Sequence, residues 1–531
     1  MSRQTTVRDE TFALMRSLGM TRVFGNPGST EIPFLSDFPD DLEFVLGLHE
    51  GGVVGMASGY ALGSGRPAFV NLHTAAGLGN AVNAIVCARD NGIPLVIVVG
   101  QQDRRQLGLM PFLASRSLER LAGDYPVWTT QPAAAAELPG AIARAWHEAV
   151  LHRGPALVIA PMGDWDEELG DDWPGVPAPE LLLHEPIVDG GAVAQLAELL
   201  EAGRSPALVV GAGVDTPEGW EATVGLAERL SCPVWQDTFS SRAGFPQDHE
   251  LFAGHLPWRR SELRSLFAAH DLVLALGTPA FRLYLYDSGP LVGPETRVAV
   301  VSESHEEILR SPCDLALNAS PAAVCAELAQ RLPQRNGAVL RFERPTPPAP
   351  PADGGPLQAA HLVQALAERL PADAILVEEA PSTRAEILAR IAVRRPLGFV
   401  AVANGALGFG LAGAVGLRMA LPDRPVVALL GDGSSMYSVQ ALWTAAHYGV
   451  GALFVVVGNG AYAIMDELAD ARGAPGPWPA FDTLSPALVA EGLGCPSRRI
   501  ETHDELTSAL DEAIPTLHER REPLLLDVRI A

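Results

Sequence analysis

Asp432 and Asn459 carry the first chemical signal in the chain. Pro425 to Leu430 is a short apolar run that ends in Gly431-Asp432-Gly433-Ser434-Ser435. Ala452 to Val457 is a second such run, ending in Gly458-Asn459-Gly460. Runs of this length and composition read as buried strands. Two adjacent parallel strands would bring the Asp432 carboxylate and the Asn459 amide oxygen, 459 − 432 = 27 residues apart, to one edge of a sheet. A hard cation such as Mg²⁺ takes few protein ligands and completes its shell with phosphate oxygens. The glycines let backbone approach phosphates, and a helix opening near Ser434 adds positive dipole. The pattern is a way to hold a diphosphate. Gly-Asp-Gly alone also makes an ordinary turn in an αβ crossover; the strand–turn–helix–strand–Asn context is what favours a ligand.

A second set lies near the N-terminus. The run ending at Val23-Phe24 leads into Gly25-Asn26-Pro27-Gly28-Ser29-Thr30-Glu31. Phe44 to Leu48 leads into His49-Glu50, and Pro67 to Leu72 into His73. Ser29, Glu50 and His73 therefore each sit just beyond a strand, at the edge where open parallel sheets bind ligands. Each also has a plainer reading. Ser29 suits a helix N-cap with Glu31 close behind. Glu50 suits a solvated carboxylate at a helix start, and His73 a hydrogen-bonded core histidine.

The elements that must position these residues fall into three blocks: 1–165, 187–340 and 357–531. Each alternates short apolar strands with helical segments, which predicts an α/β fold of mainly parallel sheets flanked by helices. An acidic stretch from Asp164 to Pro186 reads as a connection, and the Pro-rich run 345–356 as an extended linker. The 531 residues carry 38 basic and 63 acidic side chains, a net charge of −25. That argues against nucleic acid or an anionic membrane as partner. Five scattered cysteines without a C-x-x-C pair and a polar start at Met1–Thr11 suggest a cytoplasmic protein with reduced thiols. Ala401 to Leu421 is apolar enough to resemble a membrane span, but its Asn404, Arg418 and five glycines read as a buried helix with close packing.

The motifs Phe24-Gly-Asn-Pro-Gly-Ser-Thr-Glu-Ile-Pro-Phe-Leu35, Asn71-Leu-His-Thr-Ala-Ala-Gly-Leu-Gly-Asn80, Gly431-Asp-Gly-Ser-Ser-Met-Tyr-Ser438 and Gly277-Thr-Pro-Ala-Phe-Arg282 resemble those of the thiamine diphosphate-dependent 2-oxo acid decarboxylases, the benzoylformate decarboxylases among them. The resemblance implies pyrimidine-binding, central and diphosphate-binding domains. It implies a cofactor between the first domain of one chain and the last of another, hence a homodimer as the minimal active unit and a homotetramer as the usual assembly. It implies that Glu50 activates the cofactor, that Leu407 wedges it into a bent shape, and that the Gly405 carbonyl receives its amine. Asp432, Asn459 and the Ala461 carbonyl would bind Mg²⁺, while Ser382, Gly431, Gly433, Ser434 and Tyr462 would line the cofactor. Ser29 would hold the substrate carboxylate and His73 would act as acid and base. The implied reaction is decarboxylation of an aromatic or bulky 2-oxo acid, through an ylide and an enamine, to an aldehyde and CO₂. The alternative is a carboligase that joins the enamine to an acceptor carbonyl.

Four positions depart from the family pattern. Tyr284 stands where benzoylformate enzymes carry a second histidine; a tyrosine donates a hydrogen bond but keeps its proton at neutral pH. Pro381 replaces a hydroxyl residue beside the diphosphate. Gly458 replaces the first of two asparagines. Met465 and Leu468, with Phe112 and Leu113, match the apolar pocket wall, and Leu468 stands where an aromatic residue is expected.

Overall fold

The computed structural model describes residues 5–170, 173–176, 179, 188–337, 340–352 and 355–531. Parts of the acidic connection (171–172, 177–178 and 180–186) and residues 353–354 of the Pro-rich linker lie outside the described residues. The described remainder of that linker contains neither helix nor strand.

Among the described residues, eighteen strands form three six-stranded sheets whose named strands all pair in parallel. The first contains β1 (Arg22–Asn26), β2 (Glu43–Leu46), β3 (Ala68–Leu72), β4 (Leu95–Gln101), β5 (Trp128–Thr130) and β6 (Pro155–Pro161), in the order β2-β1-β3-β4-β6-β5. The central sheet contains β7 (Pro206–Val210), β8 (Val234–Gln236), β9 (Phe252–His255), β10 (Leu272–Leu276), β11 (Arg297–Ser302) and β12 (Leu315–Asn318), ordered β12-β11-β10-β7-β8-β9. The third contains β13 (Ile375–Glu379), β14 (Phe399–Val400), β15 (Val426–Gly431), β16 (Leu453–Gly458), β17 (Ser497–Ile500) and β18 (Leu524–Arg529), ordered β14-β13-β15-β16-β18-β17. Helices cover both faces, so inner strands such as β3, β4 and β16 are buried at every position. That is why they read as unbroken apolar runs rather than alternating ones.

The first and third sheets are joined by two helices, Glu50–Ser64 and Gly410–Ala420. A Cβ on Gly59 would lie 2.0 Å from the Gly413 carbonyl oxygen, and one on Gly416 would lie 1.8 Å from that of Met56. Only glycine permits this separation, which accounts for the small residues in both segments. It also corrects the expectation for Ala401–Leu421. Helix begins only at Gly410; the preceding residues form a turn with Gly405 at φ 73° and Gly408 at φ 105°. No described helix is long and apolar enough to cross a membrane.

Candidate active site

In the first sheet, Asn26 pairs with Leu72, so the chain leaving β1 lies beside the chain leaving β3. The result is a cluster around His73. Its Nδ1 is 2.9 Å from Glu31 Oε2 and 2.9 Å from Thr30 Oγ1, while the Thr30 hydroxyl donates to Glu31 Oε1 at 2.6 Å. With the threonine proton directed at Glu31, donor–acceptor accounting puts the ring proton on Nδ1 and leaves Nε2 available for chemistry. Glu31 is 1% exposed, and its Oε2 also accepts the Gly28 N–H. Thr74, next to His73, has φ 45°, a left-handed value uncommon for a β-branched residue. His73 is thus neither free nor a mere core residue. Ser29 is exposed on the turn beside this cluster. It does not cap the following helix, Ile32–Leu35, whose N-cap is Glu31 without a side-chain cap bond.

Glu50 opens the helix Glu50–Ser64 and is buried. Its two oxygens accept Asn26 Nδ2 at 3.1 Å and Asn80 Nδ2 at 3.0 Å. Asn80 lies on the helix Thr74–Asp90, and Asn83 of the same helix donates to the Leu407 carbonyl at 2.9 Å. Positions three apart share a helix face, so one face of this helix supports both Glu50 and the Leu407 turn.

In the third sheet, β15 and β16 are neighbours and carry Asp432 and Asn459 just past their ends. Asp432 is buried; Oδ1 accepts the Gly433 N–H at 2.8 Å and Oδ2 the Gly460 N–H at 2.9 Å. Burial pushes its carboxyl up from the usual range, a tendency that a bound cation would oppose. Asn459 Oδ1 accepts the Ala461 N–H at 3.1 Å. Among the described residues, no group of three His, Cys, Asp or Glu side chains could hold a metal ion unaided. One carboxylate and one amide suit a cation that brings phosphate oxygens with it, so the donor set fits a metal-bound diphosphate.

The helix expected near Ser434 is a single turn, Asp432–Ser435. Its dipole is correspondingly small, and the anion-binding capacity there rests on backbone N–H groups. The Ser434 hydroxyl is buried and bonds the carbonyls of Glu379 (2.7 Å) and Gly431 (3.0 Å), so its side chain braces the turn. Ser382 lies in the turn after β13 with no hydrogen-bond partner for its hydroxyl among the described residues. Pro381 is exposed. At Gly458, a Cβ would lie 3.1 Å from Arg529 Cδ and 3.2 Å from Asp527 Oδ1. An Arg–Asp pair therefore takes the room that the missing asparagine would need.

Met465 and Leu468 are half-buried on the helix Ala463–Asp470, which Tyr462 precedes. Phe112 is 87% exposed and Leu113 has φ 67°. Tyr284 is 55% exposed in the loop after β10, its ring 6.2 Å from that of Phe239. Among the described residues, no hydrogen bond or ion pair within the chain connects Ser29, Glu50, His73 or Tyr284 to Asp432, Asn459 or Ser434. Glu31, Asn80, Asn83 and Glu379 were not picked out from sequence. For Glu31 the available signal was its place two residues after Ser29, opposite the end of the strand that carries His73.

Three family models match the chain: the thiamine pyrophosphate enzyme N-terminal TPP binding domain over residues 5–125, the central domain over 193–328 and the C-terminal TPP binding domain over 384–528. The chain is 37% identical to a benzoylformate decarboxylase from Pseudomonas aeruginosa, with 98% of each covered. Among solved structures it is similar to a Rhodococcus jostii thiamine diphosphate-dependent 4-hydroxybenzoylformate decarboxylase (TM-score 0.93, 33% identity, 99% of each chain covered). It is also similar to a benzoylformate decarboxylase from Polynucleobacter necessarius (TM-score 0.93, 31% identity, 99% and 98% covered). With that sequence likeness and this fold, the chain belongs to the thiamine diphosphate-dependent 2-oxo acid decarboxylases of the thiamine pyrophosphate enzyme family.

Proposed function

We propose that this protein is a non-oxidative decarboxylase of an aromatic 2-oxo acid of the benzoylformate type, working with thiamine diphosphate and Mg²⁺. The observation that carries the reading is the Glu31–His73 pair beside Ser29: a hydroxyl for the substrate carboxylate and a histidine held in one tautomer. Aromatic 2-oxo acids are the leading substrates because the similar proteins are named for them.

Thiamine diphosphate, when bound, supplies the carbon nucleophile and the electron sink that decarboxylation needs. The chain's residues do the rest. Glu50, oriented by Asn26 and Asn80, would hydrogen-bond the aminopyrimidine ring through its carboxylate. The Gly405 carbonyl would receive the ring amine, and Leu407 would wedge the cofactor. Asp432, Asn459 and the Ala461 carbonyl would hold Mg²⁺, Ser382 and the Gly431–Gly433–Ser434 turn would contact the diphosphate, and Tyr462 would line the cofactor. His73 Nε2 exchanges a proton with the substrate oxygen and with the product carbon. Phe112, Leu113, Met465 and Leu468 form an apolar wall for the ring, and Tyr284 adds a hydroxyl where relatives use a second histidine.

A second copy of the chain completes the site, with the first sheet edge of one facing the third sheet edge of the other. Support comes from apolar residues left in water on one chain, such as Leu109 at 83% and Phe112 at 87% exposed. A homodimer is the minimal unit and a homotetramer the expected assembly. All five cysteines are unpaired, and burial pushes four of the thiols up to about 12. Such inert thiols suit a reducing cytoplasm.

The test is CO₂ release from a panel running from pyruvate through branched-chain acids and phenylpyruvate to benzoylformate. Release that needs cofactor and Mg²⁺ and peaks at the aromatic acids is expected. Cofactor binding without release from any aromatic acid would overturn the reading. Accumulation of a chiral 2-hydroxy ketone on adding an aldehyde would move it to the carboligase.

A further inference from the structure

Glu379 ends β13 and is 5% exposed, yet no motif marks it. Its carboxylate accepts two backbone N–H groups, Gly408 on Oε1 at 2.8 Å and Gly410 on Oε2 at 2.7 Å. Both donors flank the end of the turn that carries Gly405 and Leu407. Its backbone carbonyl accepts the Ser434 hydroxyl at 2.7 Å, from the turn that follows β15. The fit is tight, since a Cβ on Gly410 would lie 2.7 Å from Glu379 Cβ. One residue thereby ties together two turns that otherwise belong to different loops. The side chain holds one and the main chain the other.

We propose that Glu379 is a positioning residue that sets the spacing between the Leu407 turn and the Gly431–Ser434 turn, so that the chain grips a ligand long enough to touch both. This rests on the cofactor reading above. An aminopyrimidine end would meet the first turn and a diphosphate end the second. Loss of the carboxylate frees the first turn only, because the backbone bond to Ser434 survives any side-chain change. A glutamine at this position has one carbonyl oxygen, and its NH₂ faces an amide donor, so one of the two bonds is lost.

The experiment is calorimetric titration of the wild type and of Glu379→Gln with two probes in Mg²⁺: thiamine diphosphate, and inorganic pyrophosphate, which reaches the second turn alone. Losing one of the two hydrogen bonds that hold the turn should weaken thiamine diphosphate binding by about tenfold. Pyrophosphate binding should change less than about twofold. Equal weakening of both probes would show that Glu379 only supports the fold, and unchanged thiamine diphosphate binding would show that the turn needs no anchor; either result overturns the proposal. If Glu379→Gln fails to fold by circular dichroism, Glu379→Asp, which keeps the charge but shortens the reach, should give the same split. A wild type that binds neither probe would instead sink the cofactor reading itself.

Discussion

In the first sheet the strand β3 is followed at once by His73; in the third, the strand in the same place, β15, is followed at once by Asp432. The two sheets have the same strand order once numbered from their own first strand, and the helices that follow their second strands pack on each other through Gly59, Gly413 and Gly416. On this shared scaffold the first edge gathers groups that can carry protons: Glu31, Glu50 and His73. The third gathers groups whose chemistry suits a cation carrying phosphate oxygens: the Asp432 carboxylate and the Asn459 amide. The topology thus fixes where a ligand can sit, while side chains at equivalent strand ends decide what happens there.

The sharpest way to break this division is on the proton side. Glu50→Gln should lower kcat by about 10³-fold or more while circular dichroism and thiamine diphosphate binding stay near wild type; unchanged turnover would refute the role of Glu50. On the anion side, Asp432→Asn should weaken cofactor binding by about a hundredfold, read by calorimetry. Dialysis of the wild type against a chelator should abolish activity, and Mg²⁺ with cofactor should restore it. Glu31→Gln should lower kcat by about tenfold with little change in KM for the 2-oxo acid, since it acts through His73. A change confined to KM would mean that Glu31 shapes substrate binding instead.

A last effect concerns stability rather than activity. Burial pushes the Glu379 carboxyl up from 4.5 to about 7. The folded chain therefore keeps a proton that the unfolded chain has lost between those values. The neutral form's contribution is complete below pH 4.5 and disappears as pH rises through about 7. Without cofactor, wild type should lose up to about 3 kcal/mol relative to Glu379→Gln across that window, seen as a change in their Tm difference. A Tm difference constant with pH would contradict it.

Much of this arrangement was legible in the sequence because parallel sheets bury whole strands, and apolar runs ending in glycine-rich turns mark where they stop. Asp432, Asn459, Ser29, Glu50 and His73 were all found at such ends. The matching strand order was not legible, since it depends on pairings between distant segments. Glu31 was hidden because a carboxylate after Ser-Thr reads as helix-start chemistry, and its bond to His73 depends on β1 lying beside β3. Glu379 reads as the end of an ordinary strand; its role depends on a turn about thirty residues later. Ala401–Leu421 misled because glycine and alanine serve both a tight turn and a close helix contact. Arg529 and Asp527, filling the space at Gly458, lie on β18; its apolar run Leu524–Leu526 marks a strand, but only the pairing with β16 places it beside Gly458.

The most direct test of the central claim is complementation. Glu50→Gln and Asp432→Asn chains, each inactive alone, would be co-expressed and assayed for CO₂ release from benzoylformate. If the two edges meet between copies, a mixed dimer holds one intact site, and random pairing should restore about a quarter of wild-type activity. No recovery in demonstrably mixed dimers would mean that both edges of a site come from one chain, and the division of labour between copies would be wrong.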